Sequence, residues 1–114
     1  MAKSTIFFLL FLSFSVLLHN VTALDDIRCL QELKESFKDP NGNLNSWNFS
    51  NYSMGFIRKF IGVSCWNNLE NRVLSLSLPN MNLSGQLPDA FKYCSSLTTL
   101  ELSGNRLSGS FGDL

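Results

Sequence analysis

An internal repeat constrains this chain more than any other feature. The segment from Val73 to Gly85 superimposes on the segment from Leu97 to Gly109 with a shift of 24 residues. Leu76 meets Leu100, Leu78 meets Leu102, Leu83 meets Leu107, Ser84 meets Ser108, Gly85 meets Gly109 and Asp89 meets Asp113. Val73 with Leu97, and Leu87 with Phe111, are apolar pairs at the same offset. Self-similarity at a fixed period in this range marks a solenoid, where each repeat is a coil that buries its apolar side only against its neighbours.

The spacing within the repeat has a physical cause. In Leu76-x-Leu78 and Leu100-x-Leu102 the two leucines fall on one face of a short strand, because side chains alternate along a strand. They fill the inside of a flattened coil. The second copy meets the whole pattern L-x-x-L-x-L-x-x-N-x-L from Leu97 through Asn105 to Leu107, which is the pattern of a leucine-rich repeat. The Asn turns inward, where its amide satisfies backbone groups that no ladder reaches. The first copy has Met81 at that place, so its backbone groups are predicted to be satisfied by cap residues or water. Stacked coils align their strands in parallel and form a concave face. The outward positions are Ser75, Ser77, Pro79 and Asn80 in the first coil, then Thr99, Glu101, Ser103 and Gly104 in the second.

The N-terminus carries a different signal. No charge lies between Lys3 and Asp25. Lys3 supplies a short positive region, Ile6 to Leu18 is an apolar run, and Val21-Thr22-Ala23 ends in a small residue. This three-part pattern is a secretory signal, predicted to be cleaved after Ala23. The rival reading is a membrane anchor, which needs roughly 20 predominantly apolar residues. His19, Asn20 and Thr22 cut the run short of that. The expected organisation is a signal peptide over 1–23, a cap over 24–69 and repeats over 70–114, the second one incomplete. The expected fold class is an α/β solenoid with a helical cap, truncated after about two repeats. No second apolar run is long enough to span a bilayer, so the mature fragment is expected to enter the oxidising secretory lumen.

In the cap segment, Asp25 and Asp26 can cap a helix. Ile27, Leu30, Leu33 and Phe37 then recur at near-helical spacing, with Arg28, Glu32, Lys34, Glu35 and Lys38 mostly between them. Asp39-Pro40 and Asn41-Gly42 end the pattern. The spacing predicts one amphipathic helix over 26–38. From Asn41 to Asn71 the chain is rich in Asn and Ser, with Trp47, Phe49, Tyr52, Phe56, Phe60 and Trp66 scattered through it. These aromatics are expected to be buried anchors of an irregular cap, since each buries much apolar area.

Composition excludes several chemistries. Nine basic and nine acidic side chains balance over the whole chain, and no concentrated basic face of the kind nucleic acid requires is visible. His19, the one histidine, leaves with the signal peptide, so activation of a Ser or Cys nucleophile by His is not available. There is no Cys-x-x-Cys, the carboxylates are scattered and no glycine-rich phosphate loop occurs, so no metal, cofactor or catalytic site is expected. Arg58, seven residues before Cys65, could lower that thiol's pKa if the two are close. A binding module is the expected class.

The motif Leu83-Ser-Gly-Gln-Leu-Pro88 resembles the plant type of leucine-rich repeat. The helix, Asp39-Pro40, Leu44-x-x-Trp47 and Gly62-Val-Ser-Cys-Trp66 are similar to the plant N-terminal cap that precedes such repeats. Gly55-Phe-Ile, Gly62-Val, Cys65-Trp and Glu70-Asn-Arg-Val-Leu resemble the ectodomain start of the BIR-type receptor-like kinases. The resemblance implies a single-pass membrane protein with a repeat ectodomain and an often inactive kinase-like domain. It also implies binding to co-receptor kinase ectodomains of the somatic-embryogenesis type, at the cell surface. The implied partner is a protein. On the concave face Ser77, Thr99 and Glu101 are the expected contact residues, Glu101 being the charged one. The runner-up is a secreted repeat protein that inhibits a cell-wall-degrading enzyme. A third reading is a fragment with no function of its own, poorly folded because two coils hold little core.

The resemblance also bears on the cysteines. Caps of this family carry a second cysteine seven residues before the one in Gly-Val-x-Cys, and here that place holds Arg58. Cys65 is then left without its partner. Two readings of the others stand. Cys29 pairs with Cys94, closing a loop of about 65 residues worth on the order of 4 kcal/mol, or Cys94 is a buried free thiol that packs as a small apolar filler. Asn48-Phe-Ser, Asn51-Tyr-Ser and Asn82-Leu-Ser are sequons for N-glycosylation in a secreted chain.

Overall fold

The computed structural model describes residues 24–50 and 52–109. The predicted signal peptide, Asn51 and residues 110–114 lie outside these. Helix α1 covers residues 24–36. Ile27, Leu30, Leu33 and, one residue past its end, Phe37 form its buried stripe, as the spacing requires. Asp25 and Asp26 do not flank this helix but lie inside its first described turns. Asp26 reaches out of the helix to accept a hydrogen bond from the Val73 amide at 2.7 Å. The helix ends two residues earlier than the spacing predicts because Lys38 pairs with Ser84 in an antiparallel bridge (N···O 2.8 and 3.1 Å). Asp39 then fixes the turn, its carboxylate accepting from the amides of Asn43 (2.9 Å) and Leu44 (2.7 Å).

Two sheets follow. In the first, β1 (Val63–Cys65) runs antiparallel to β2 (Val73–Ser77), which runs parallel to β4 (Thr99–Glu101). The β2–β4 register pairs Ser75 with Thr99, Leu76 with Leu100 and Ser77 with Glu101, the 24-residue offset of the repeat. The second sheet is β3 (Ser84–Gln86) parallel to β5 (Arg106–Ser108), and here Ser84 pairs with Arg106, two residues short of that offset. The turn after β2 places both Asn80 (φ 54°) and Asn82 (φ 56°) in the left-handed region. In the second coil Gly104 (φ 72°) stands where Asn80 does, but Arg106, which aligns with Asn82, is already in β5. The second coil therefore enters its outer strand two residues sooner.

The cap covers the first coil at both sheets: β1 pairs with β2, and Lys38 pairs with the start of β3. A strand edge that would otherwise present unpaired amides and carbonyls is thereby closed. Trp47, Phe49, Tyr52, Phe56 and Phe60 form one ring cluster behind β1. Trp47 stacks on Phe60 at 5.7 Å, Tyr52 stacks on Phe56 at 5.1 Å, and Phe49 meets Phe56 and Phe60 edge-on. Two rings depart from the expectation of burial: Tyr52, which is 50% exposed, and Trp66. Trp66 is half exposed, and its indole Nε1 donates to the Ser96 carbonyl at 3.0 Å, so it bridges cap and second coil. Trp47, Leu76, Leu78 and Leu83 are fully buried in one continuous core with the helix, whereas Leu100, Leu102 and Leu107 are only partly buried.

Cys29 on α1 and Cys94, just after the 3-10 helix Asp89–Tyr93, are joined by a disulfide with Cα atoms 5.7 Å apart. Cys65 is free and half-buried.

Candidate functional site

The site is the outward face of the first sheet. In β2 and β4 the inward residues are apolar and the outward ones, Ser75, Ser77, Thr99 and Glu101, are polar, because successive side chains alternate across the sheet. Ser75 and Thr99 share one row across the strands, and Ser77 and Glu101 share the next. Ser64 of β1 pairs with Ser75, so the first row runs Ser64, Ser75, Thr99. Ser64 was not expected on this face. The alternation of inward Val63, outward Ser64 and half-buried Cys65 was its signal, hidden because three residues in an Asn-rich segment are too short to stand out as a strand.

The structure brings Ser77, Thr99 and Glu101 together, all three exposed. Ser75, also expected here, lies on β2, but the other four expected positions are not on the strands. Pro79 and Asn80 lie beyond β2, and Ser103 and Gly104 lie beyond β4, in the turns that carry each coil to its second sheet. Ladder bonds continue past the strands even so, from Leu78 N to Glu101 O (2.8 Å) and from Asn80 N to Ser103 O (2.9 Å). They hold the rim of the face rigid.

Glu101 is tied into its own turn. Its Oε1 accepts from the Ser103 amide at 2.8 Å, and the Ser103 hydroxyl and amide together hold its carboxyl below the usual carboxylate range. The charge at this end of the face is therefore fixed and oriented. At the other end Trp66 is pinned by its bond to Ser96 and by the Arg72 guanidinium 5.8 Å from its ring. Arg72 in turn donates to Ser96 Oγ from Nη2 at 3.0 Å.

Asn105 performs the inward task the repeat pattern assigns to it. Its Nδ2 donates to the carbonyls of Leu78 (2.7 Å) and Leu102 (3.0 Å), and its Oδ1 accepts from the amides of Met81 and Leu83, both at 3.0 Å. One side chain thus serves its own coil and the coil before it. At Met81 the cap supplies the missing amide, as Asn43 Nδ2 donates to the Met81 carbonyl at 3.0 Å.

The other singled-out residues are dispersed. Asn48 and Asn82 are exposed, Asn48 in a turn where its Oδ1 accepts from the Ser50 amide at 2.9 Å, and Asn51 lies outside the described residues. Burial pushes the Cys65 thiol up, and Arg58 only partly opposes this, so the arginine does not activate it. Among the described residues no helix is long and apolar enough to cross a membrane.

Comparison with known proteins gives this arrangement its relatives. The leucine-rich-repeat N-terminal domain matches residues 23–66, and the leucine-rich repeat matches residues 96–114. The inactive receptor-like serine/threonine-protein kinase BIR2 of Arabidopsis thaliana is 60% identical over 85 residues, 75% of this chain and 14% of that protein. The crystal structure of the BIR2 ectodomain from Arabidopsis thaliana superimposes with a TM-score of 0.72 at 59% identity, over 75% of this chain and 44% of that one. A chain in the crystal structure of the BIR3–SERK2 complex, also from Arabidopsis thaliana, superimposes with a TM-score of 0.69 at 54% identity, over 75% of this chain and 45% of that one. The chain thus spans a small part of its curated relative and under half of the solved ectodomains. With its cap and its second coil matched and three quarters of its length 60% identical to BIR2, it belongs to the plant leucine-rich-repeat receptor-like kinase ectodomains and is similar to those of the BIR type.

Proposed function

We propose that the chain is an extracellular docking scaffold for the ectodomain of a co-receptor kinase. The outward rows Ser64–Ser75–Thr99 and Ser77–Glu101 carry this reading. They are polar, and all but the half-buried Ser75 are exposed, between the fixed carboxylate of Glu101 and the pinned ring of Trp66. A polar face with an aromatic at its border fits a protein surface better than a small molecule, which calls for a concave apolar cleft. Similarity to a chain of the BIR3–SERK2 complex supports a co-receptor kinase as the partner class. Within this reading Ser77, Thr99 and Glu101 are contact residues. Asn48, Asn51 and Asn82 carry glycans acquired in the secretory pathway after cleavage at Ala23.

The test is binding of the secreted chain to immobilised SERK2 ectodomain. Saturable binding is expected, weakened at least about tenfold by the pair Thr99→Arg and Glu101→Lys, as loss of a central contact of about 1.4 kcal/mol requires. Absence of saturable binding by a chain shown to be folded, or equal binding by the pair variant, would count against the reading.

A further inference from the structure

Asp26 is the buried charged residue of the described core, with no exposed surface at all. One carboxylate oxygen accepts from the Val73 amide across 47 residues of sequence, and the other, Oδ1, is buried without a hydrogen-bond partner among the described residues. A buried polar atom normally finds a partner, and an ionised oxygen left bare is costlier than a neutral one. The position is structurally central. Asp26 sits on α1, Val73 opens β2, and Val73 pairs with Cys65 at the irregularity in β1. Helix, cap strand and first coil therefore meet at this carboxylate.

The surrounding charges do not neutralise it. Arg72 favours the ionised form from the strand side, but its guanidinium is engaged by Ser96 and Glu70. Asp25 on the same helix disfavours it. From β1 the Cys65 thiol faces it, raised by burial and by the negative charge of Asp26 itself, and so stays neutral.

We propose that Asp26 is an acid-sensitive latch between the cap helix and the first coil, closing more firmly when its carboxyl takes up a proton. Protonation at Oδ1 removes the buried charge while Oδ2 keeps the Val73 amide. Burial raises the group from its ordinary 3.8 to about 6, against the opposing Val73 bond and Arg72. A folded-state value above the unfolded one means that the folded chain binds more protons between the two. The contribution of Asp26 to stability is then greatest below about pH 4, is lost as pH rises through about 6 and is level above, a change of up to about a hundredfold in the folding equilibrium. The latch is independent of whether the outward face binds a partner.

The test is denaturant unfolding of the secreted chain, followed by the fluorescence of buried Trp47, at pH 4.5 and 7.5, beside Asp26→Asn. The amide keeps an acceptor for Val73 and carries no charge. The native chain is expected to gain stability relative to the variant on going from pH 7.5 to 4.5. Because other carboxylates contribute equally to both chains, the difference isolates Asp26. Equal pH dependence of the two chains overturns the proposal, and so does the lack of a cooperative transition in the native chain. Should the variant fail to fold, the carboxyl carbon resonance of Asp26 in the native chain decides. A titration midpoint near 6 supports the latch and one near 4 overturns it.

Discussion

At the scale of single residues, the side chains that hold the coils together are polar ones placed where the backbone turns. Asn105 joins four backbone groups of two coils at 3.0 Å or less. Replacing it by Leu leaves those amides and carbonyls in a part-buried turn without their partner. At about 1 kcal/mol for each lost bond, Asn105→Leu is expected to lower unfolding free energy by about 4 kcal/mol in a denaturant titration. A loss under about 1 kcal/mol would mean that water serves these groups as well as the amide does. Gly62 makes the same point through absence. Its φ of 78° is left-handed, and a Cβ there would strike the Ser77 carbonyl and Leu78. Only a residue without a side chain lets β1 approach β2 so closely. The motif Gly62-Val63 was legible as part of a cap, but the contact that requires the glycine was not.

At the scale of elements, the two coils share a sequence pattern but not an environment. The first lies between cap and second coil, and Leu76 is 1% exposed, while its repeat partner Leu100 is only partly buried. The cost of deleting a side chain grows with the cavity that deletion leaves. Leu76→Ala is therefore expected to cost about 3 kcal/mol and Leu100→Ala about 1 kcal/mol, measured as shifts in denaturant midpoint at constant m-value. Equal costs would show that the second coil is packed as tightly as the first. The repeat register made the pairing of β2 with β4 readable residue by residue. The two-residue offset between β3 and β5 was not, since it depends on a second left-handed residue at Asn82 in one turn and none at Arg106 in the other.

At the scale of the whole molecule, most of the described core lies in the cap. Among the described residues eleven of the eighteen buried apolar side chains precede Val73. The Cys29–Cys94 bond ties the helix to the back of the first coil across a separation of 65 residues. Digestion without reduction is expected to yield a linked Cys29–Cys94 peptide, with Cys65 recovered as the alkylated thiol. Reduction is expected to lower stability by about 4 kcal/mol, the scale for a loop of that length. Recovery of Cys65 in a linked peptide would contradict the arrangement. At pH 7.5 Cys65 is expected to alkylate more slowly in the folded chain than in the unfolded one, because burial keeps its thiol protonated and half covered.

The order of side chains by itself determined the solenoid, the helix stripe, the inward leucines and the residues of the outward face on β2 and β4. Those follow from periodicity, and periodicity is a local property: a strand turns every second side chain to one side wherever it lies. Only the tertiary structure decided that β1 extends the face by Ser64, that Trp66 stays in the open, that Asn105 serves two coils and that Asp26 is sealed beneath the first strand. Each of these depends on which distant segment covers a residue, and burial, unlike alternation, is set by contacts between parts of the chain far apart in sequence.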